Sequence, residues 1–158
     1  MTYAVPLSVL GGTIAAFFAL ARGSYRSFGA AQTVLRVLVA LPLLVSGVLL
    51  HFFRAHATAS IIPSFFPAPM FLAVFTGVCE IAGGIGLIVP RWRRAAAFWI
   101  AVMMVAIFPA NIYAAGQVID GLQMPNVPVR LAMQVVYIVL VLLAGFGMPW
   151  RANKRRDG

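Results

Sequence analysis

The chain has 158 residues, of which 63% are hydrophobic and 9% charged, against about 25% charged in soluble domains; a water-soluble globular fold is excluded and an integral membrane protein is expected. A net charge of +9 would suit nucleic acid, but the Lys and Arg residues stand in short clusters at the ends of apolar runs, where they orient helices against the bilayer. That distribution rules out nucleic acid and makes the lipid bilayer the expected partner.

Ala4 to Ala21 is an apolar run of about 18 residues, near the minimum length of a span. No Lys or Arg precedes it, whereas Arg22 and Arg26 follow it, the reverse of a secretory signal. Residues 1–33 are therefore expected to be a retained transmembrane helix, entering from outside, with its basic connector. The polar stretch 22–36 leads to a second helix over Val37 to Phe53, which Pro42 interrupts and near whose far end His51 lies. Prolines 63, 67 and 69 then predict an irregular segment at the membrane interface, a plain connection or a lid.

The third helix, Met70 to Val89, organises the rest, because Glu80 stands near its middle. A carboxylate at the bilayer centre costs at least about 2.5 kcal/mol, so it is expected to face other helices or a wet cavity. Ala73, Gly77, Glu80 and Gly84 recur at i, i+4, i+7 and i+11, a narrow face of small residues around the acid. Pro90 ends this helix, and the basic RWRR turn leads to a fourth helix over about Ala95 to Ala115. Within it Pro109 frees the carbonyl of Val105, and Asn111 places an amide below the far surface. A loop with Asp120, Pro125 and Pro128 precedes the fifth helix, about Arg130 to Met148, and a basic tail follows over 151–158. Placing the 22–36 connector, the RWRR turn and the tail in the cytoplasm puts ten of the twelve Lys and Arg residues inside. Five helices with the N-terminus out and the C-terminus in are thus expected.

Arg130, Gln134 and Tyr137 fall at i, i+4 and i+7, a polar ladder descending roughly 10 Å from the outer surface. With Asn111 and His51 in the same outer half and Glu80 deepest, these six residues are the candidate ligand-binding set around one outward-facing pocket. Such groups exchange protons and hydrogen-bond a ligand oxygen. A quinone or another flat carbonyl compound entering from lipid would suit them, with aromatic walls from Phe52, Phe75 and Phe108. Asn111 serves equally well as hydrogen-bonding glue between helices, and a structural role bonded to Asn111 or a freed carbonyl is the lesser alternative for Glu80. No metal site is expected, since two histidines five residues apart and a distant Glu have no ligand spacing. Cys79, the single cysteine, reads as a packing group. Ser46 has no base beside it in sequence and the GGIG run at 83–86 reads as close packing; no catalytic residue is assigned.

The runs GVLLHFF at 47–53, IIPSFFPAP, GVCEIAGGIGLIVPRWRRAA, FPANIY and VRLAMQ at 129–134, in this order and spacing, resemble the DoxX family of small bacterial membrane proteins. The resemblance covers about residues 34–148. It implies an all-α membrane domain of four helices over 34–150, to which the N-terminal helix is an addition, in the bacterial cytoplasmic membrane. Relatives in that family include a subunit of an archaeal thiosulfate:quinone oxidoreductase, a component of a mycobacterial membrane oxidoreductase complex and a vertebrate chaperone for receptor assembly. The implied function is a redox-associated membrane subunit that binds a quinone-like molecule at Glu80, Asn111 and His51, with a redox partner protein. An assembly factor or scaffold, a small-solute transporter and a homo-oligomer packed through the Gly-rich faces are the alternatives.

Overall fold

The computed structural model describes residues 28–119 and 121–147; the helix expected over 4–21, the tail from 151 onward and Asp120 lie outside them. The described chain is mostly helical. Helix α1, Phe28–Val48, runs into a π-helical turn at Leu49–Phe53, and a short α2 follows at Ala55–Ser60. Helix α3 spans Pro69–Ile88, α4 Arg93–Ala106, α5 Phe108–Tyr113 and α6 Val127–Phe146. Among the described residues three stretches are long and apolar enough to cross a membrane: Ala30–Phe53, Pro69–Ile88 and Val127–Phe146.

Helix α1 starts inside the expected polar connector. Residues 28–36 contain no proline, and Leu35 continues the i, i+4 stripe of Val39 and Leu43, all three buried. Burial of that stripe outweighs the polar character of the segment, and Arg36 spans the helix pair by donating from Nε to the Ala144 carbonyl at 2.9 Å. The fourth expected helix is broken at Ile107 into α4 and α5. Pro109 has no N–H to give the Val105 carbonyl, and the 14 residues of α4 fall short of the length of a span.

Between α5 and α6 the chain forms a two-residue hairpin, β1 Val118–Ile119 against β2 Leu122–Gln123. Helix α6 begins three residues earlier than expected, because Asn126 caps it by accepting from the Val129 amide at 3.2 Å and Pro128 suits the first turn.

Helix α1 packs on α3, α3 on α4, α4 on α6, and α6 back on α1. The core they share is built from Leu35, Val39, Leu43, Leu87, Ile100 and Val141 with alanines between them. Outward-facing positions keep large apolar side chains, including Leu41, Val78, Phe98, Trp99 and Val139. Such a surface suits lipid and is unsuited to water.

Candidate functional site

The site begins where α1 and α3 cross. They approach closely at Gly47 and Gly77: a Cβ on Gly47 would stand 3.0 Å from the Gly77 carbonyl oxygen, and one on Gly77 would collide with the side chain of His51. The absent side chain at Gly77 leaves room for His51 against α3. Ser46 and His51 are five residues apart, roughly 140° around a regular α-helix. The π turn at Leu49–Phe53, closed by the Arg54 amide on the Leu49 carbonyl at 3.1 Å, holds extra backbone per turn and narrows that angle. Both side chains then reach Glu80.

Glu80 receives one partner at each oxygen. Ser46 Oγ donates to Oε2 at 2.5 Å, and His51 Nε2 stands 3.6 Å from Oε1. The other ring nitrogen of His51, Nδ1, is 2.5 Å from the Ala73 carbonyl. A carbonyl only accepts, so Nδ1 carries a proton and Nε2 is the nitrogen that exchanges one with Glu80. Thr76 Oγ1 completes the set at 3.1 Å from Nδ1, donating to the Leu72 and Ala73 carbonyls at 2.9 Å. The side chains of His51 and Glu80 are each 12% exposed. One proton between them makes either a neutral acid and imidazole or a carboxylate and imidazolium, and either form can pass a proton to a ligand oxygen.

A second polar cluster joins α5 to α6. Arg130 donates from Nη1 to Asn111 Oδ1 at 2.8 Å and to the Asn111 carbonyl at 3.2 Å, while Nη2 lies 3.1 Å from the Met124 sulfur. Asn111 Nδ2 donates to Gln134 Oε1 at 3.1 Å. Gln134 Nε2 in turn donates to the Met104 carbonyl at 2.8 Å. That carbonyl belongs to the last turn of α4, where backbone acceptors lack helical partners, so the break at Ile107 is satisfied from α6. Arg130 Nε is buried without a hydrogen-bond partner.

Both clusters open on one cavity of about 1290 Å³ bounded by α2, α3, α4 and the hairpin. His51, Glu80, Asn111 and Arg130 line it. Gln134 and Tyr137 are not among its lining residues: Gln134 braces Asn111 from behind, and Tyr137 Oη donates to the Val39 carbonyl at 2.7 Å, tying α6 to α1. The polar ladder of α6 therefore divides, its N-terminal half turned to α5 and its C-terminal end to α1. Of the expected aromatic walls, Phe75 lines the cavity and Phe52 and Phe108 do not. Cys79 also lines it and is unpaired. No group of side chains suited to a metal ion occurs among the described residues.

Thr76 has no role in the sequence reading, and Ser46 is weighed there only as a nucleophile, for which no neighbouring base is found. Thr76 is one turn before Glu80 on the same face, a legible spacing. Ser46 is the single hydroxyl in the apolar run from Val37 to Leu50, and its partner became evident once α1 met α3.

A family model described as a domain of unknown function (DUF8561) matches residues 38–144, and the chain belongs to that family. No curated protein and no solved structure matches it.

Proposed function

We propose that this chain binds a small lipophilic, quinone-like molecule in the cavity beside Glu80 and His51 and works as a redox-associated membrane subunit of the DoxX type. The observation that carries the reading is a carboxyl group and an imidazole side by side on the wall of a cavity otherwise lined mainly by apolar side chains. Intramembrane ionisable pairs of this kind are functional by default. A ligand carbonyl would accept from Glu80 or His51 at one end, and Asn111 and Arg130 would offer N–H groups to a second oxygen. Proton exchange at Glu80 would then follow the redox state of the bound molecule. In this reading α1 with its π turn, α3, α4 with α5, and α6 form a four-helix membrane domain. The run at 4–21 adds a fifth helix, and the C-terminus faces the cytoplasm of a bacterial inner membrane.

Mass spectrometry of an organic extract from mildly purified protein tests this. Near-stoichiometric quinone in the wild type, depleted in Glu80→Gln and Asn111→Ala, is the expected result; bulk lipid alone in all three folded proteins would overturn it.

A second reading, an assembly factor or scaffold, is favoured by one observation. The hydrogen bonds of Asn111 and Gln134 run to Arg130, to each other and to the Met104 carbonyl, as expected of groups that fix helix register. A stoichiometric partner recovered from native membrane that survives Glu80→Ala would select this reading.

A further inference from the structure

The cavity continues well past the polar residues. On α3 its lining passes from Thr76, Cys79 and Glu80 to Gly83, Gly86 and Val89, about 13 Å of helix beyond the acid. Beyond it lie Trp92, just before α4, and Ala95, Ala96 and Trp99 of α4. None of the residues from Gly83 to Val89 on this lining, nor of those named beside α4, carries an acid, a base or an amide, so the cavity has a polar end and an apolar arm.

The arm has a physical cause. A Cβ on Gly86 would stand 2.7 Å from that of Ala96, and one on Gly83 2.6 Å from Ile100 Cγ1, so α3 and α4 close on each other at these pairs. Small residues at the contact leave a trough between the outward sides of the helices. Ala82 and Ala95, both exposed, border it, and the exposed Trp92 and Trp99 stand beside it. A trough flanked by exposed apolar side chains is reached sideways from lipid. The whole volume, about 1290 Å³, exceeds the roughly 300–1,000 Å³ of an ordinary small-molecule site. A lone quinone ring would leave the arm empty.

We propose that the ligand lies lengthwise, its carbonyl-bearing head at Glu80 and His51 and a long hydrocarbon tail in the trough between α3 and α4. This deepens the quinone reading and rests on it: the class becomes a tailed lipid quinone, and short soluble quinones are poor ligands. Specificity divides accordingly. The polar end recognises the oxygens, and the trough recognises length through burial of apolar surface.

The test uses full-length protein in nanodiscs of fixed lipid composition, equilibrated with a tail-less or an isoprenoid-tailed analogue of the same quinone. After repurification, bound quinone per chain is counted against empty discs, which corrects for partition into lipid. Ala95→Phe, with Ala82→Phe as a second variant should the first misfold, places a ring in the trough away from the polar end. Wild type is expected to retain the tailed analogue with about tenfold or greater preference, and Ala95→Phe to lose that preference while binding the tail-less analogue unchanged. Equal retention of both analogues by wild type, or a tailed analogue indifferent to the trough variants, overturns the lengthwise pose and leaves the head site standing. Neither analogue exceeding empty discs overturns the quinone reading itself.

Discussion

Ser46 Oγ and Glu80 Oε2 are 2.5 Å apart, a hydrogen bond from α1 to α3 that fixes one carboxyl oxygen and leaves the other turned to His51. Removing the hydroxyl in Ser46→Ala frees the carboxyl to rotate. A hydrogen bond to a carboxyl group contributes roughly 1.5–3 kcal/mol when charged and about 1 kcal/mol when neutral. Ser46→Ala is therefore expected to lower stability by about 1–2 kcal/mol and ligand retention by several-fold. Denaturation in detergent and ligand counting on the same preparation check the two effects.

Glu80→Gln separates shape from proton exchange. Glutamine keeps an oxygen that accepts from Ser46, so the contact between α1 and α3 survives, but its amide cannot exchange a proton with His51 Nε2. Ligand retention is expected to fall by about tenfold, equivalent to about 1.4 kcal/mol, with little change in unfolding. A variant that unfolds as readily as Ser46→Ala yet keeps its ligand would point to a structural role for the acid.

Gly77 carries the crossing itself. A methyl group there meets the His51 ring, and overpacking of this kind typically costs about 1–3 kcal/mol. Gly77→Ala is expected to be destabilised by that amount and to lose the ligand as well, since His51 moves to make room. Gly116 is the contrast: nothing lies within 4 Å of a Cβ built there, although its φ of 76° favours glycine. Gly116→Asn, which tolerates that conformation, is expected to keep the ligand. Parallel thermal denaturation and ligand counts of the two variants make the comparison.

How far the site could be read from sequence follows from which signals are local. The face of Ala73, Gly77 and Glu80 is periodic within one helix and was legible; His51, Asn111 and Arg130, expected in the outer half of the chain's helices, line one cavity. The π turn was not legible, because the LLHFF run carries no local signal for it. Nor was the division of the α6 ladder, since Tyr137 turns to the Val39 carbonyl on α1 while Gln134 turns to the broken end of α4. Helix α1 extends back to Phe28 because Leu35 is buried, which composition alone masks. The Asp-Gly pair at 120–121 is a hairpin signal that passed unread among the prolines around it.

The network of α5 and α6 makes a double-mutant cycle informative. Asn111→Ala leaves the Gln134 carbonyl and one Arg130 donor without their partner, and such orphaned groups cost about 1–3 kcal/mol. Gln134→Ala removes a bond to Asn111 and one to Met104. The pair is expected to couple by about 0.6 kcal/mol and by no more than about 1.7 kcal/mol, the mean and the maximum found for side-chain hydrogen bonds between membrane helices. Additive effects would mean that the two amides stabilise α5 independently.

Tyr137→Phe isolates stability from binding in the opposite sense to Glu80→Gln. The phenol donates to the Val39 carbonyl at 2.7 Å, and Val39 is fully buried, so the variant leaves that carbonyl short of one partner while the ring still packs against the core. A loss of about 1 kcal/mol is expected. Because Tyr137 is not among the residues lining the cavity, ligand retention should stay within about twofold of wild type, a difference of about 0.4 kcal/mol. Ligand depletion in folded Tyr137→Phe equal to that in Glu80→Gln would show that the α6 ladder reaches the ligand after all, through motion of α6 against α1.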